Sequence, residues 1–409
     1  MKLKNLQSID LKNKTILYRA PYDIGVKEIN GVLEVKDDLR IRATLPTLEY
    51  LIQQNCKIVI LTYVKRPDAK VVEELRTTPH ARKLSELLGR KVDKIDECTG
   101  LLVEAKINNM KGGDILMLEN VRFYKGEMED DDEFAKKLCK DKDIIVFDGF
   151  PQAMRIHAST TGIERHLPAV AGMYTEHEVE MLSNLLENPV RPFTVLIGGA
   201  KVSDKVDAVN NLLKMADKVL VGGAVANVFL KAQGHELGSS FMEDVFVDEK
   251  RREKKDWIVY AKEILEKYKD KVIVPSDVVI SDGTTVKNLD LSKEGIPNGW
   301  MALDIGPETQ KNFSKIIENS KTVFLGGPMG KFEDEKYSLG SQAILNAMKN
   351  LTSNFSGMTI IAGGDTIDVA NRYSNIKNFS HISLAGGATL DFLAGKELPA
   401  LKPLIKEMQ

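Results

Sequence analysis

Two lysines stand four residues apart in GGAKVSDK (Gly198 to Lys205), directly after an apolar run that ends on paired glycines. At the start of a helix, this spacing sets the ammonium groups of Lys201 and Lys205 on one face, beside backbone N–H groups that already favour anions. Either lysine also suits a plain surface position. AGGDTIDVA (Ala362 to Ala370) places Asp365 straight after glycines, where one carboxylate suits a Mg²⁺ ion shared with nucleotide phosphates, and equally a helix N-cap. Arg19, Arg66, Arg122 and Arg155 follow apolar runs, and Arg40 sits in DDLRIRA. A planar guanidinium fork takes two oxygens of a carboxylate or phosphate at once, so several converging on one edge make an anion pocket, although a single arginine is more often a surface residue. Phosphoryl chemistry between two anions is what these types and spacings suit. The signatures of other kinases, GxxxxGK[ST] or HRD with DFG, do not occur.

The elements that position these residues are regular. Five runs in the second half stop on a glycine pair: FTVLIGG, KVLVGG, KTVFLGG, MTIIAGG and ISLAGG, from Phe193 to Gly387. Continuous Val/Ile/Leu runs of this length suit strands buried on both faces, as in a parallel sheet flanked by helices. Glycines at their carboxyl ends let the N–H groups of the next helix approach a phosphate, whereas any one pair alone reads as an ordinary turn. In the first half, KTILYRA, KIVILTYVKR, DILMLENVRF and DIIVFDGF have the same rhythm but end near arginines. Amphipathic stretches between the runs complete a βαβ pattern, and right-handed crossovers put every carboxyl end on one edge. The fold class is therefore α/β, with an anion-binding half and a phosphate-cradling half.

With 409 residues the chain suits two domains rather than one. EHEVEMLSNLLENP (Glu176 to Pro189) reads as an amphipathic helix joining them, so the boundaries fall at 1–173, 174–192 and 193–395. KRREKKDW (Lys250 to Trp257) reads as a solvated helix face, and EMEDDDE before FAKKLCK as acids complementing a helix dipole. A net charge of −2 argues against nucleic acid as a partner. Cys56, Cys98 and Cys139 form no CxxC pair, and no run has the length of a membrane span or a signal-peptide core. The expectation is a soluble, cytoplasmic monomer with small-molecule partners and no membrane contact.

GGAKVSDK, GGPMGKFE, DIGPET, AGGDT, LENVRF, RIHAS and the closing HISLAGGATLDFLAGKELP resemble phosphoglycerate kinase in the same order and at similar separations, nearly end to end. The resemblance implies two Rossmann-like lobes with parallel sheets, a hinge helix, and a C-terminal tail (396–409) returning to the N-lobe. It implies ATP or ADP with Mg²⁺, and reversible phosphoryl transfer between 1,3-bisphosphoglycerate and ADP. By the same resemblance Asp23, Arg40, Tyr63, Arg66, Arg122 and Arg155 bind the acid. Gly199, Ala200, Lys201, Lys205, Gly222, Gly223, Leu303 and Pro328 bind the nucleotide, with Glu333 at the ribose, Asp365 at the metal and Thr366 at the transferred phosphate. Arg40, Lys205, Gly386 and Gly387 serve the transfer itself, and hinge closure excludes water.

The chain departs from the family pattern at defined positions. RVDFNVP appears as RAPYDIG (Arg19 to Gly25), with Pro21 for the aspartate and Asp23 for the asparagine, and a two-residue slip would return Asp23 to the aspartate's role. SHLGRP appears as TYVKRP, with Tyr63 for histidine and Lys65 for glycine; Met154 replaces the histidine before Arg155. Gly326 stands for asparagine, and Leu384 and Ala385 for threonine and glycine. Three functional readings follow: this kinase with an altered pocket, a kinase of the same fold for another acyl phosphate or phosphorylated acid, or a non-catalytic nucleotide-binding relative.

Overall fold

The computed structural model describes residues 1–248 and 253–406. The chain divides into two compact units, Met1–Ser183 with Glu397–Gln409, and Asn184–Lys396. Helix Met173–Glu187 carries the chain from one to the other.

In the first unit the apolar runs become a six-stranded sheet in the order Asp93–Lys94, Ile115–Met117, Lys57–Leu61, Thr15–Arg19, Ile144–Phe147, Ala169–Ala171. Every pairing is parallel. Both faces of the central strands are buried, which is why they read as unbroken Val/Ile/Leu rather than alternating. Helix Leu39–Gln53 turns Ile41, Leu48 and Leu51 onto this core, and Thr78–Leu88, ended by left-handed Gly89, contributes Ala81 and Leu84. The C-terminal segment belongs to this unit. Lys4 donates its N–H to the Leu404 carbonyl at 2.7 Å, Leu3 bridges Ile405, and Leu401 and Leu404 are buried.

The second unit has its own six-stranded parallel sheet: Val272–Ile273, Lys218–Val221, Phe193–Ile197, Thr322–Gly326, Met358–Ala362, His381–Ser383. All five glycine-ended runs are strands of this one sheet. One member of each pair is in the left-handed region: Gly199, Gly223, Gly327, Gly363 and Gly386, with φ from 55° to 116°. A side chain at these points would be strained, so glycine there is a backbone requirement. Beside it lies a three-stranded antiparallel sheet, Val286–Asp290, Asp277–Ser281 and Met301–Ile305, which the βαβ reading does not anticipate.

Two readings of charge runs are corrected. Lys250, Arg251 and Arg252 lie outside the described residues, but Glu253–Asp256 form a strand against Val245–Asp248, and the helix starts only at Trp257. Asp256 caps it, accepting from the N–H groups of Ile258 and Val259, so the helix cannot extend back into the charges. Trp257, Ala261 and Ile264 do form its buried face. In EMEDDDE, Asp131 caps helix Asp132–Cys139 and Lys136 and Lys137 close it, but Glu127 is fully buried. Its carboxylate accepts from the Ser159 N–H and hydroxyl at 2.8 and 2.7 Å, with His157 Nδ1 3.5 Å away. Burial pushes this carboxyl up, and His157 with Arg19 more than offsets it, leaving it below its ordinary value.

Candidate active site: an acid pocket and a nucleotide cleft

Asp23, Tyr63, Lys65, Arg66, Arg122 and Arg155 line one pocket of about 400 Å³ in the first unit. Each follows a neighbouring strand of the parallel sheet: Asp23 after Thr15–Arg19, Tyr63 to Arg66 after Lys57–Leu61, Arg122 after Ile115–Met117, and Arg155 after Ile144–Phe147. The carboxyl edge of the sheet is therefore what gathers them. Asp23, not Pro21, faces the arginines. Its Oδ1 accepts the Lys65 N–H at 2.8 Å, and its carbonyl accepts from Arg40 Nη1 at 2.8 Å. Arg40, in the first turn of Leu39–Gln53, thus stands beside the pocket through Asp23 rather than among its lining residues.

Arg122 is held from several sides. Its guanidinium lies 3.5 Å from the centre of the Tyr63 ring, Nη1 donates to the Lys65 carbonyl at 2.6 Å, and Nε is buried without a hydrogen-bond partner. Tyr63, in the family's histidine position, therefore acts here as a stacking platform. Beneath the loop, buried Asn120 donates to the Val64 and Leu75 carbonyls at 2.9 Å each, tying two loops together. Arg19 does not belong to the pocket wall. It is fully buried, with Nε on the Ser159 carbonyl at 2.9 Å and its guanidinium 5.2 Å from the other neighbour of Arg122, the Tyr63 ring. Its place at a strand end suggests a pocket residue, but sequence position does not reveal which way a strand's last side chain turns.

The second unit holds a cleft of about 350 Å³ lined by Gly199, Ala200, Gly223, Leu303, Pro328, Glu333 and Asp365, among others. Lys201, Lys205, Gly222 and Thr366 are not in its lining. The expected shared helix face for the two lysines is not formed. Helix Val206–Met215 begins after Lys205, which is its N-cap, and exposed Lys201 lies in the preceding loop. In the turn Val202 to Lys205, Ser203 is held by Glu243, which accepts its N–H and hydroxyl at 2.8 and 2.6 Å. Lys205 Nζ comes within 3.2 Å of where a Cβ on Gly199 would lie. Burial lowers Lys205 below an ordinary lysine, while Asp204, Asp365 and Glu243 pull it back upward.

The glycine pairs divide into two kinds. The N–H groups of Gly199, Gly223 and Gly327 are already engaged by the Pro328 carbonyl, the Met329 carbonyl and Thr366 Oγ1, each at 2.8 Å. An added Cβ on Gly223 would come within 2.7 Å of the Gly199 nitrogen. These glycines pack three loops together rather than presenting donors, which corrects the expectation of a uniform phosphate-cradling edge. At Gly364 and Gly386, by contrast, a Cβ would meet nothing within 4 Å, so the starts of helices Gly364–Tyr373 and Gly387–Leu393 are open. Asp365 is exposed in the first turn of the former. Ala385, in the family's glycine position, is not in the left-handed region and fits without backbone strain.

The antiparallel sheet supplies residues that sequence reasoning missed. Met301, Ala302 and Asp304 share the cleft lining with Asn227, Phe241 and Phe332. Asp304 is buried and accepts the Ile305 and Gly340 N–H groups at 2.9 and 2.7 Å, and burial pushes its carboxyl up to about 7. Its only sequence signal was the DIGPET motif.

Comparison with known proteins agrees across the chain. The sequence model described as phosphoglycerate kinase matches residues 6–396. The phosphoglycerate kinase of Coxiella burnetii superimposes with a TM-score of 0.84 at 34% identity over 98% of both chains. That of Pyrococcus horikoshii OT3 gives 0.82 at 33% identity, again over 98% of both. With a family match across nearly its whole length, this chain belongs to the phosphoglycerate kinase family.

Proposed function

We propose that the arginine pocket receives 3-phosphoglycerate and the cleft of the second unit receives ATP or ADP, the chain catalysing reversible phosphoryl transfer between 1,3-bisphosphoglycerate and ADP. The observation that carries this is the convergence of Arg66, Arg122 and Arg155 in one pocket of a chain belonging to this family. In the direction of ATP use, a carboxylate oxygen of the acid bonds to the γ-phosphorus while the bond from that phosphorus to the β–γ bridging oxygen breaks, and ADP leaves. Carboxylate and ADP are both deprotonated at neutral pH, so neither direction needs a general base. The chain's contribution is then orientation and charge: guanidinium forks fix the acid, and Arg40 and Lys205 compensate charge on the transferring group.

Lys201, Gly222 and Thr366 belong to the nucleotide side of this reading, and Gly386 and Gly387 to the transferred phosphate. Asp365 would hold Mg²⁺ together with nucleotide phosphates. An exposed single carboxylate fits an ion whose remaining ligands are phosphate oxygens and water. Among the described residues no cluster of three or more His, Cys, Asp or Glu is placed to hold a metal alone. The ion, when bound, neutralises phosphate charge. Buried, free Cys56, Cys98 and Cys139 support a reducing, cytoplasmic setting. No helix among the described residues is long and apolar enough to cross a membrane. The test is a coupled assay of 3-phosphoglycerate with MgATP. Turnover that both Arg40→Ala and Lys205→Ala remove supports the reading, and an unmodified chain without turnover overturns it.

A further inference from the structure

Lys65 occupies a position that a lysine should avoid. Its φ is 56°, in the left-handed region that L side chains disfavour. The surrounding chain holds it there: Asp23 Oδ1 takes its N–H, and its carbonyl accepts from Arg122 Nη1. The side chain is also directed. Lys65 Cε lies 3.2 Å from where a Cβ on Gly25 would stand, with the Lys36 stem on the same spot at 3.5 Å. In the RVDFNVP and SHLGRP patterns these two positions carry proline and glycine; here they carry glycine and lysine. Gly25 leaves the space that the Lys65 stem uses, and Lys65 lines the pocket with Arg66, Arg122 and Arg155.

We propose that Lys65 is a specificity-determining residue of the acid pocket, adding a fourth cation that binds the phosphate group of the acid, and that Gly25 is the compensating change that admits it. This rests on the function proposed above. Asp23, the side chain of its loop that faces the pocket, accepts hydrogen bonds but donates none, so the anionic groups of the ligand are left to the cations. Such recognition is sensitive to salt.

Calorimetry of 3-phosphoglycerate binding tests this with Lys65→Gly and Lys65→Asn, both of which tolerate the left-handed backbone. The expected result is Kd raised about tenfold in both, a shallower dependence of log Kd on log salt concentration, and recovery to within about threefold in Lys65→Arg. Lys65→Gly should also melt about 2 °C higher through relief of strain. Gly25→Pro should weaken binding in the unmodified background and have no effect beside Lys65→Gly. Unchanged Kd and salt slope in both Lys65 variants, with the unmodified chain binding normally, overturns the role of Lys65 alone. Equal cost of Gly25→Pro in both backgrounds overturns the coupling. An unmodified chain that binds no 3-phosphoglycerate removes the proposed function, and the role of Lys65 with it.

Discussion

Arg122 depends on Tyr63 more than on any charge partner, since the ring lies 3.5 Å from its guanidinium. Tyr63→Leu should therefore raise KM for the acid roughly fivefold, while Tyr63→Phe keeps the stack and stays within about twofold, measured by steady-state kinetics; equal effects of the two would show that the hydroxyl matters instead. Arg40→Ala and Lys205→Ala should each lower kcat about a hundredfold or more, the cost of removing a preorganised charge of about 3 kcal/mol. The arginines were readable from sequence because each follows an apolar run, and runs of a parallel sheet end on one edge. Arg19 and Glu127 were not. Arg19 ends an apolar run as the pocket arginines do and Glu127 sits in a run of acids, and only the packing shows one behind Tyr63 and the other under Ser159. The glycine N–H groups were likewise unreadable, because a donor's partner lies on another loop distant in sequence.

Helix Thr78–Leu88 supports the loop that carries Asp23. His80, fully buried, donates from Nε2 to the Ile24 carbonyl at 2.9 Å, and burial lowers its pKa to about 4. The unfolded chain takes up a proton below about pH 6.5 while the folded one does not until about pH 4, so stability falls as pH drops through this window. By pH 5 the loss should reach about 2 kcal/mol, and replacing His80 with Gln should flatten the slope of denaturant stability between pH 4 and 6.5. An unchanged slope would contradict a neutral buried His80. In the other unit, Gly327 has φ 116° and lies against Gly198 backbone atoms, so Gly327→Ala combines strain with overlap. A loss of about 3 kcal/mol, or failure of that unit to fold, is expected in thermal melts. The long apolar strands were evident from sequence. The strands Val286–Asp290 and Met301–Ile305, equally five residues long, were not, because Lys287, Asn288 and Asp304 interrupt their apolar pattern. The anchoring of the turn before helix Val206–Met215 was hidden too, since Ser203 is held there by Glu243, distant in sequence.

Each unit has its own core, one around Ile16, Tyr18 and Ile60, the other around Leu196, Phe313 and Leu325 and their neighbours. Their chain paths differ. The segment 184–396 is continuous, so expressed alone it should fold and bind ADP, as calorimetry can check. The first unit needs the C-terminal segment, with Leu401 and Leu404 buried and the Leu3 to Ile405 bridge closing it, so deletion of 397–409 should destabilise that unit by several kcal/mol, about the cost of removing two buried leucines. The linear pattern revealed two halves but not this return, which came only through family resemblance. Function at this scale reduces to one reaction. The most direct measurement is the turnover of 3-phosphoglycerate with MgATP by the unmodified chain, followed through ADP release. The expected result is a kcat of roughly 10 s⁻¹ or more, dependent on both substrates. ADP binding in calorimetry with no ADP release above background would contradict it.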